Sequence, residues 1–315
     1  MSMKTKDNFP EWINNAFKKN QTLINKESQA YFDKVKNLYP HYVNAYIDIP
    51  THIELGVLKT HNPSEVSDYL QKDGPSEFII FNIYETFHFV FVYQIRELSL
   101  IMQDCLENGK FFGAAIINRS IFELVCTNYY TFRRVESKFF ECIEMLKKFS
   151  KTKSAVEKET LKKQYFEKLY EIYIALHRGN VASSINWQEH IKKFGIANPE
   201  RVDVEKIHIN KVIEDIEQAS KLPISKIYGL MSEFVHPNYG SKTLIIKTSS
   251  KHNDLMDKLT IGGNQNNAEA ALFYLDQCSE GLYITLTLAM SLIDRSVRLL
   301  SVLDQFTENG AKTLH

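Results

Sequence analysis

Apolar residues recur along most of this chain with a period near 3.6, the spacing that gathers side chains onto one face of an α-helix. The pattern is densest from about residue 76 to beyond Cys105, where Ile80, Ile83, Phe87, Phe91, Ile95, Leu98 and Met102 cover much of the circumference. A helix apolar on that much of its surface belongs at the centre of a bundle. Asn108-Gly109 ends it, and a second long helix is expected from Phe111 to about Phe149, with Ile117, Ile121, Leu124 and Val125 in helical register. The break between them is short, which predicts antiparallel neighbours. A charged stretch from Lys151 to Lys163 leads into a helix ending near His177, where Arg178-Gly179-Asn180 supplies a left-handed cap. Two shorter amphipathic helices follow, Val204–Ala219 and the segment after Pro223. Pro237 closes the second, because the residue before a proline is pushed out of the α region. The last long helix runs from Ala268 to Leu303.

Outside these helices the pattern weakens. The opening residues predict short amphipathic helices, the second closed by Pro40, and Asp73-Gly74-Pro75 marks a turn. Thr243–Thr248 and Lys258–Ile261 have strand-prone composition around a polar run, which predicts a hairpin. The fold class is therefore all-α: a multi-helix bundle of long antiparallel helices with a small β-hairpin insertion near residues 243–261. Residues 1–75 form an irregular helical lead-in packed on a core of residues 76–303, and residues 304–315 form a frayed tail. No fixed-period repeat and no linker breaks the core, so one domain is favoured over two.

Composition narrows the classes. Lys plus Arg and Asp plus Glu number 38 each, a formal charge of zero, which argues against a broad polyanion-binding surface. Residues 78–102 carry Glu85, His88, Arg96 and Glu97 and so make a core helix rather than a membrane span. No membrane insertion is expected. The four cysteines (Cys105, Cys126, Cys142 and Cys278) lack zinc-ligand spacing and read as buried thiols in a reducing compartment. MSMKTKDNFPEW has no apolar signal core, so the expected location is cytoplasmic.

The common catalytic signatures are missing: no GxxxxGK[ST], HExxH, GxSxG or GxGxxG occurs. No metal or cofactor is expected. Two polar constellations stand out. Arg119 and Glu123 lie four residues apart on a helix whose other neighbours are apolar. An arginine turned inward keeps its charge and needs a partner. Either the pair is structural, or Glu123 holds Arg119 ready for an anionic ligand. The second constellation is Tyr228, Ser232, His236 and Asn238 around a helix end. There the unpaired carbonyls favour an imidazolium, which makes His236 a candidate proton donor. Its structural alternative is a helix-ending device, with Ser232 bonding back to the Tyr228 carbonyl. His88, on an apolar helix, reads as a satisfied core residue. Arg133, Arg134, Lys138, Lys147 and Lys148 form a modest basic stripe, read as solvated surface.

The R-x-x-x-E element at Arg119 and Glu123, followed by S-x-x-x-H-P at Ser232, His236 and Pro237, resembles a group of uncharacterised bacterial all-helical proteins near the HEPN-type domains of defence and toxin systems. The resemblance spans about Ser76 to Leu303. It implies a helical bundle that dimerises and, in active members, cuts RNA with an arginine and a histidine four to six residues apart on one helix. This chain departs from that pattern, since Leu230, Met231 and Ser232 occupy those positions before His236. Two functions follow as expectations. One is a non-catalytic helical binding or scaffold protein of bacterial defence or stress response, in which the polar residues fix helix register. The other is a metal-independent ribonuclease, with Arg119 stabilising the transition state, His236 transferring a proton and Glu123 orienting Arg119. Tyr228, Ser232 and Asn238 would then contact the ligand. A homodimer, and RNA or a small anionic ligand, are the partners these readings bring into view.

Overall fold

The structure is a computed structural model that describes residues 26–47, 77–177, 208–236, 246–249, 258–261 and 268–313, together with Asn15, Lys18 and Ile49. Among the described residues the chain is all-α in character, with seven helices. They are α1 (Lys26–Ile47), α2 (Glu77–Glu107), α3 (Phe111–Lys151), α4 (Ala155–His177), α5 (Ile209–Ser220), α6 (Ile224–Val235) and α7 (Ala268–Thr313). Between α6 and α7, strands β1 (Ile246–Ser249) and β2 (Lys258–Ile261) pair antiparallel, Ile246 opposite Ile261 and Ser249 opposite Lys258.

The chain divides into two compact units, each assembled from three separate stretches. The first takes residues 1–51, 92–126 and 213–293, and the second takes 52–91, 127–212 and 294–315. Each of the long helices α2, α3 and α7 therefore contributes to both. No composition shift marks such a division, because it cuts through helices rather than linkers.

In the first unit, α6 buries Ile224, Ile227, Met231 and Phe234, whose spacing of three and four makes one apolar stripe. It lies close to α7 at Gly281, where an added Cβ would come within 3.3 Å of Ile227 Cγ2 and 3.6 Å of Met231 Sδ. The absent side chain sets the approach of these two helices. α1 docks through Phe32, Val35 and Tyr39. The Ser28 hydroxyl donates to the Asp276 carbonyl at 2.8 Å, tying α1 to α7. Between α2 and α3 the chain reverses at Gly109, whose φ of 65° is open to glycine at no steric cost. There the Lys110 amide donates to the Cys105 carbonyl at 2.8 Å, satisfying an end of α2.

Pro40 does not close a helix as the sequence suggested. It lies inside α1, which runs on to Ile47. A proline there removes one backbone donor and crowds the preceding turn, and the buried anchors Phe32, Val35 and Tyr39 on the preceding turns offset that cost. α7 likewise continues to Thr313, ten residues past Leu303, since no proline follows to stop it.

The second unit is organised around Tyr84 on α2, whose ring packs edge-on against Phe139 at 5.0 Å and beside Phe132 at 6.3 Å, both on α3. Ionic links surround this core. Arg295 of α7 donates to Glu136 of α3 at 2.8 Å, Lys168 of α4 meets Glu141 at 3.0 Å, and Lys138 pairs with Glu171. Half-exposed pairs of this kind contribute little each; Tyr165, Leu169, Ile172 and Leu176, all buried, carry the docking of α4.

Candidate functional site

The segment Asn118–Glu123 lies within α3, so Arg119 and Glu123 stand one turn apart and project from one face. Arg119 Nε donates to Glu123 Oε1 at 2.9 Å. The geometry adds a third member from α6. Arg119 Nη2 donates to the Tyr228 hydroxyl at 3.0 Å, and that hydroxyl donates to the same Glu123 Oε1, also at 3.0 Å. The three side chains form a closed triangle. The guanidinium carbon also lies 5.1 Å from the Tyr228 ring centre, and Phe122 stacks on that ring at 6.3 Å with an interplanar angle of 21°. Tyr228 is thus held by its hydroxyl and by its face at once.

The electrostatics agree with this closure. Burial opposes the Arg119 charge, but the bonds to Tyr228 and Glu123 outweigh it and raise the pKa. Burial raises that of Tyr228, Glu123 adds to the rise, and the Arg119 bond opposes it, so the phenol stays protonated near neutral pH. The Arg119 side chain is 17% exposed and that of Glu123 37%, so the triangle sits where water reaches it. Beside it, Asn118 is buried; its amide nitrogen faces Met231 Sδ at 3.6 Å, while its carbonyl oxygen has no partner among the described residues.

At the far end of α6 the Ser232 hydroxyl donates to the Tyr228 carbonyl at 2.7 Å. The His236 amide donates to the Ser232 carbonyl at 3.1 Å, and His236 then turns extended, with φ −81° and ψ 154°. That is the conformation Pro237 imposes on the residue before it. The His236 ring is exposed, and among the described residues no hydrogen bond joins it to Arg119 or Glu123. Asn238 lies outside the described residues. Arg119, Glu123 and Tyr228 are therefore brought together. Ser232 and His236 follow Tyr228 along α6 as parts of its C-terminal end.

A second polar network occupies the core of the other unit. Tyr84 donates to the Ser296 carbonyl at 3.0 Å and approaches its hydroxyl at 3.1 Å, and that hydroxyl also meets His88 Nδ1. All three residues are buried. Burial lowers the His88 pKa from 6.5 to about 4, so the ring is neutral near pH 7. His88 is a satisfied core residue, as its apolar helix suggested, but its partners escaped sequence reasoning. A signal existed: Ser296 stands at an apolar-periodic position with Leu292, Leu299 and Leu303, and Tyr84 stands likewise between Ile80 and Phe91.

The remaining candidates offer little chemistry. All four cysteines are buried and free. Burial pushes the thiols of Cys126 and Cys142 up to about 12, which removes the thiolate needed for nucleophilic attack. In the basic stripe, Lys138 is committed to Glu171 and Lys147 to Glu144. Among the described residues, no helix is long and apolar enough to cross a membrane. No family model, curated protein or solved structure matches the chain.

Proposed function

We propose that this chain is a non-catalytic helical binding or scaffold protein, in which Arg119, Glu123 and Tyr228 hold α6 in register on α3. The observation that carries this reading is the closed triangle: each of the three is a partner of the other two. A guanidinium can grip a phosphate bidentately through the edge that Nε shares with its neighbouring amino group. Here the edge formed by Nε and Nη2 is spent on Glu123 and Tyr228. The Ser232 hydroxyl is spent on the Tyr228 carbonyl. Zero formal charge adds to the case, since it provides no field to gather RNA.

The ribonuclease reading makes a distinct demand, which one experiment addresses. Single-stranded RNA is incubated without divalent metal with the wild type, Arg119→Ala and His236→Ala, and thermal unfolding is followed for the same three proteins. The scaffold reading expects no cleavage that depends on His236, and a lowered unfolding midpoint for Arg119→Ala. Metal-independent cleavage that His236→Ala abolishes without shifting the midpoint would overturn it.

A further inference from the structure

In the second unit, the pairs Lys138–Glu171 and Glu141–Lys168 register α3 and α4 antiparallel, so the two helices form a hairpin. Its tip is basic. Between residues 147 and 163 the chain carries seven lysines against two glutamates, although the whole sequence has no net charge. Lys147, Lys148 and Lys151 share one exposed face of α3 with Glu144. Glu144 bonds Lys147 at 2.7 Å, and its pKa is lowered by that bond and by the charges of Lys147, Lys148 and Lys151. One carboxylate thus faces three ammonium groups. Lys153 follows in the turn, and Lys148, Lys151 and Lys153 hold no salt bridge among the described residues.

The turn that presents these lysines is firmly built. The Thr152 amide donates to the Lys148 carbonyl at 3.0 Å, and the Lys158 amide to the Ser154 carbonyl at 2.9 Å. The Ser154 hydroxyl accepts the Glu157 amide at 3.4 Å, in the S-x-x-E arrangement that starts a helix. Lys158 Nζ lies 5.4 Å from the Phe149 ring centre and covers that aromatic. What stands uncovered is Val156, in the first turn of α4 and 80% exposed. Valine is a mediocre helix former and buries almost nothing here, so folding gives no reason for it.

We propose that the α3–α4 tip docks on an anionic lipid surface, with Val156 entering the interfacial layer and Lys148, Lys151 and Lys153 meeting the headgroups. The chain then lies on the membrane rather than crossing it. The proposal uses no residue of the Arg119 triangle and goes beyond the scaffold reading. Lysine stems beside an aliphatic apex are the combination that such a surface accepts: the stems lie along apolar material while the ammonium groups stay with the phosphates. A single strand of RNA asks for something else, aromatic faces and guanidinium planes on which bases stack. Residues 147–163 contain no arginine, and Phe149 lies under Lys158. A protein interface has a packed centre rich in aromatics and arginine and poor in lysine. The end of a two-helix hairpin would also need a matching cavity there, whereas a lipid layer yields to it.

The test is co-sedimentation of the full chain with vesicles of phosphatidylcholine alone, or of equal parts phosphatidylcholine and phosphatidylserine. The wild type is expected to bind the mixed vesicles and not the neutral ones, and to release them as salt rises. The triple variant Lys148→Ala, Lys151→Ala, Lys153→Ala is expected to bind about tenfold more weakly or worse. Val156→Ser is expected to weaken binding about fivefold and to keep the salt dependence. No binding to the mixed vesicles overturns the proposal, as does equal binding to both kinds. Binding as tight as wild type by either variant also overturns it. A single-stranded oligoribonucleotide or a polyglutamate chain held through these lysines, with the vesicles left free, assigns the tip to another partner and overturns it too. Should a variant fail to fold, the two wild-type vesicle arms still decide. Neither variant touches the triangle, so the outcome leaves the scaffold reading to its own experiment.

Discussion

Each unit has a tyrosine hydroxyl that joins two helices, yet the two arrangements differ in almost every physical respect. The Tyr228 network is charged, stands partly in water and uses an arginine and a carboxylate. The Tyr84 network is neutral and sealed, and uses a serine and an imidazole. The charged one announces itself in the sequence and has the smaller hold on stability, because water replaces its bonds when they break. The sealed one is almost invisible in the sequence and has the larger hold, because a polar atom left without its partner there has no substitute.

Acid separates the two most sharply. The fold keeps His88 neutral down to about pH 4, whereas an exposed imidazole takes up a proton near 6.5. Between those values the unfolded chain binds a proton that the native state refuses. Stability is therefore present above pH 6.5 and is lost as pH falls toward 4, by up to roughly 3 kcal/mol at about 1.4 kcal/mol per pKa unit. Urea unfolding of wild type and His88→Asn at neutral and acid pH reads this directly. The asparagine variant is expected to lack that part of the loss, and an equal loss in both proteins breaks the contrast.

Ser296→Ala comes next. It removes the hydroxyl between His88 and Tyr84 and strands the imidazole nitrogen in the core, at a cost of about 2 kcal/mol by chemical unfolding. Gly281→Ala forces a methyl group toward Ile227 at the α6–α7 approach, and a loss of about 1–2 kcal/mol is expected from overpacking. Tyr228→Phe, at the water-reached triangle, is expected to cost only about 1 kcal/mol. The smallest effect has the opposite sign. Gly229 sits mid-helix with open space beside it, so Gly229→Ala is expected to raise stability by about 0.5–1 kcal/mol through helix propensity. A loss at Gly229 would mean that its surface is already covered.

What the sequence made legible follows from periodicity. The apolar spacing of α2 and α3 is long and regular enough to place both helices within a few residues of their observed ends. The Arg119–Glu123 pair follows from a spacing of four on one face. Tyr228 was grouped with Arg119 and Glu123 as a ligand contact, but its bonds to both were hidden, because nothing local links residue 119 to residue 228; only packing brings α6 against α3. For the same reason Ser296 could not be assigned to His88. Pro40 misled because its local cost is real, while the burial of Phe32, Val35 and Tyr39 on the preceding turns, which offsets it, depends on tertiary packing. The division into two units was hidden most completely, since it passes through continuous helices.

The most direct test of the helix clamp is a double-mutant cycle in chemical unfolding, built from Arg119→Met, Tyr228→Phe and the pair together. Two side chains that hold α6 on α3 through one another should show a coupling of about 0.5–2 kcal/mol, with each single variant less stable than wild type. Additive effects to within about 0.3 kcal/mol, or single variants as stable as wild type, would mean that Arg119 is not there to hold a helix.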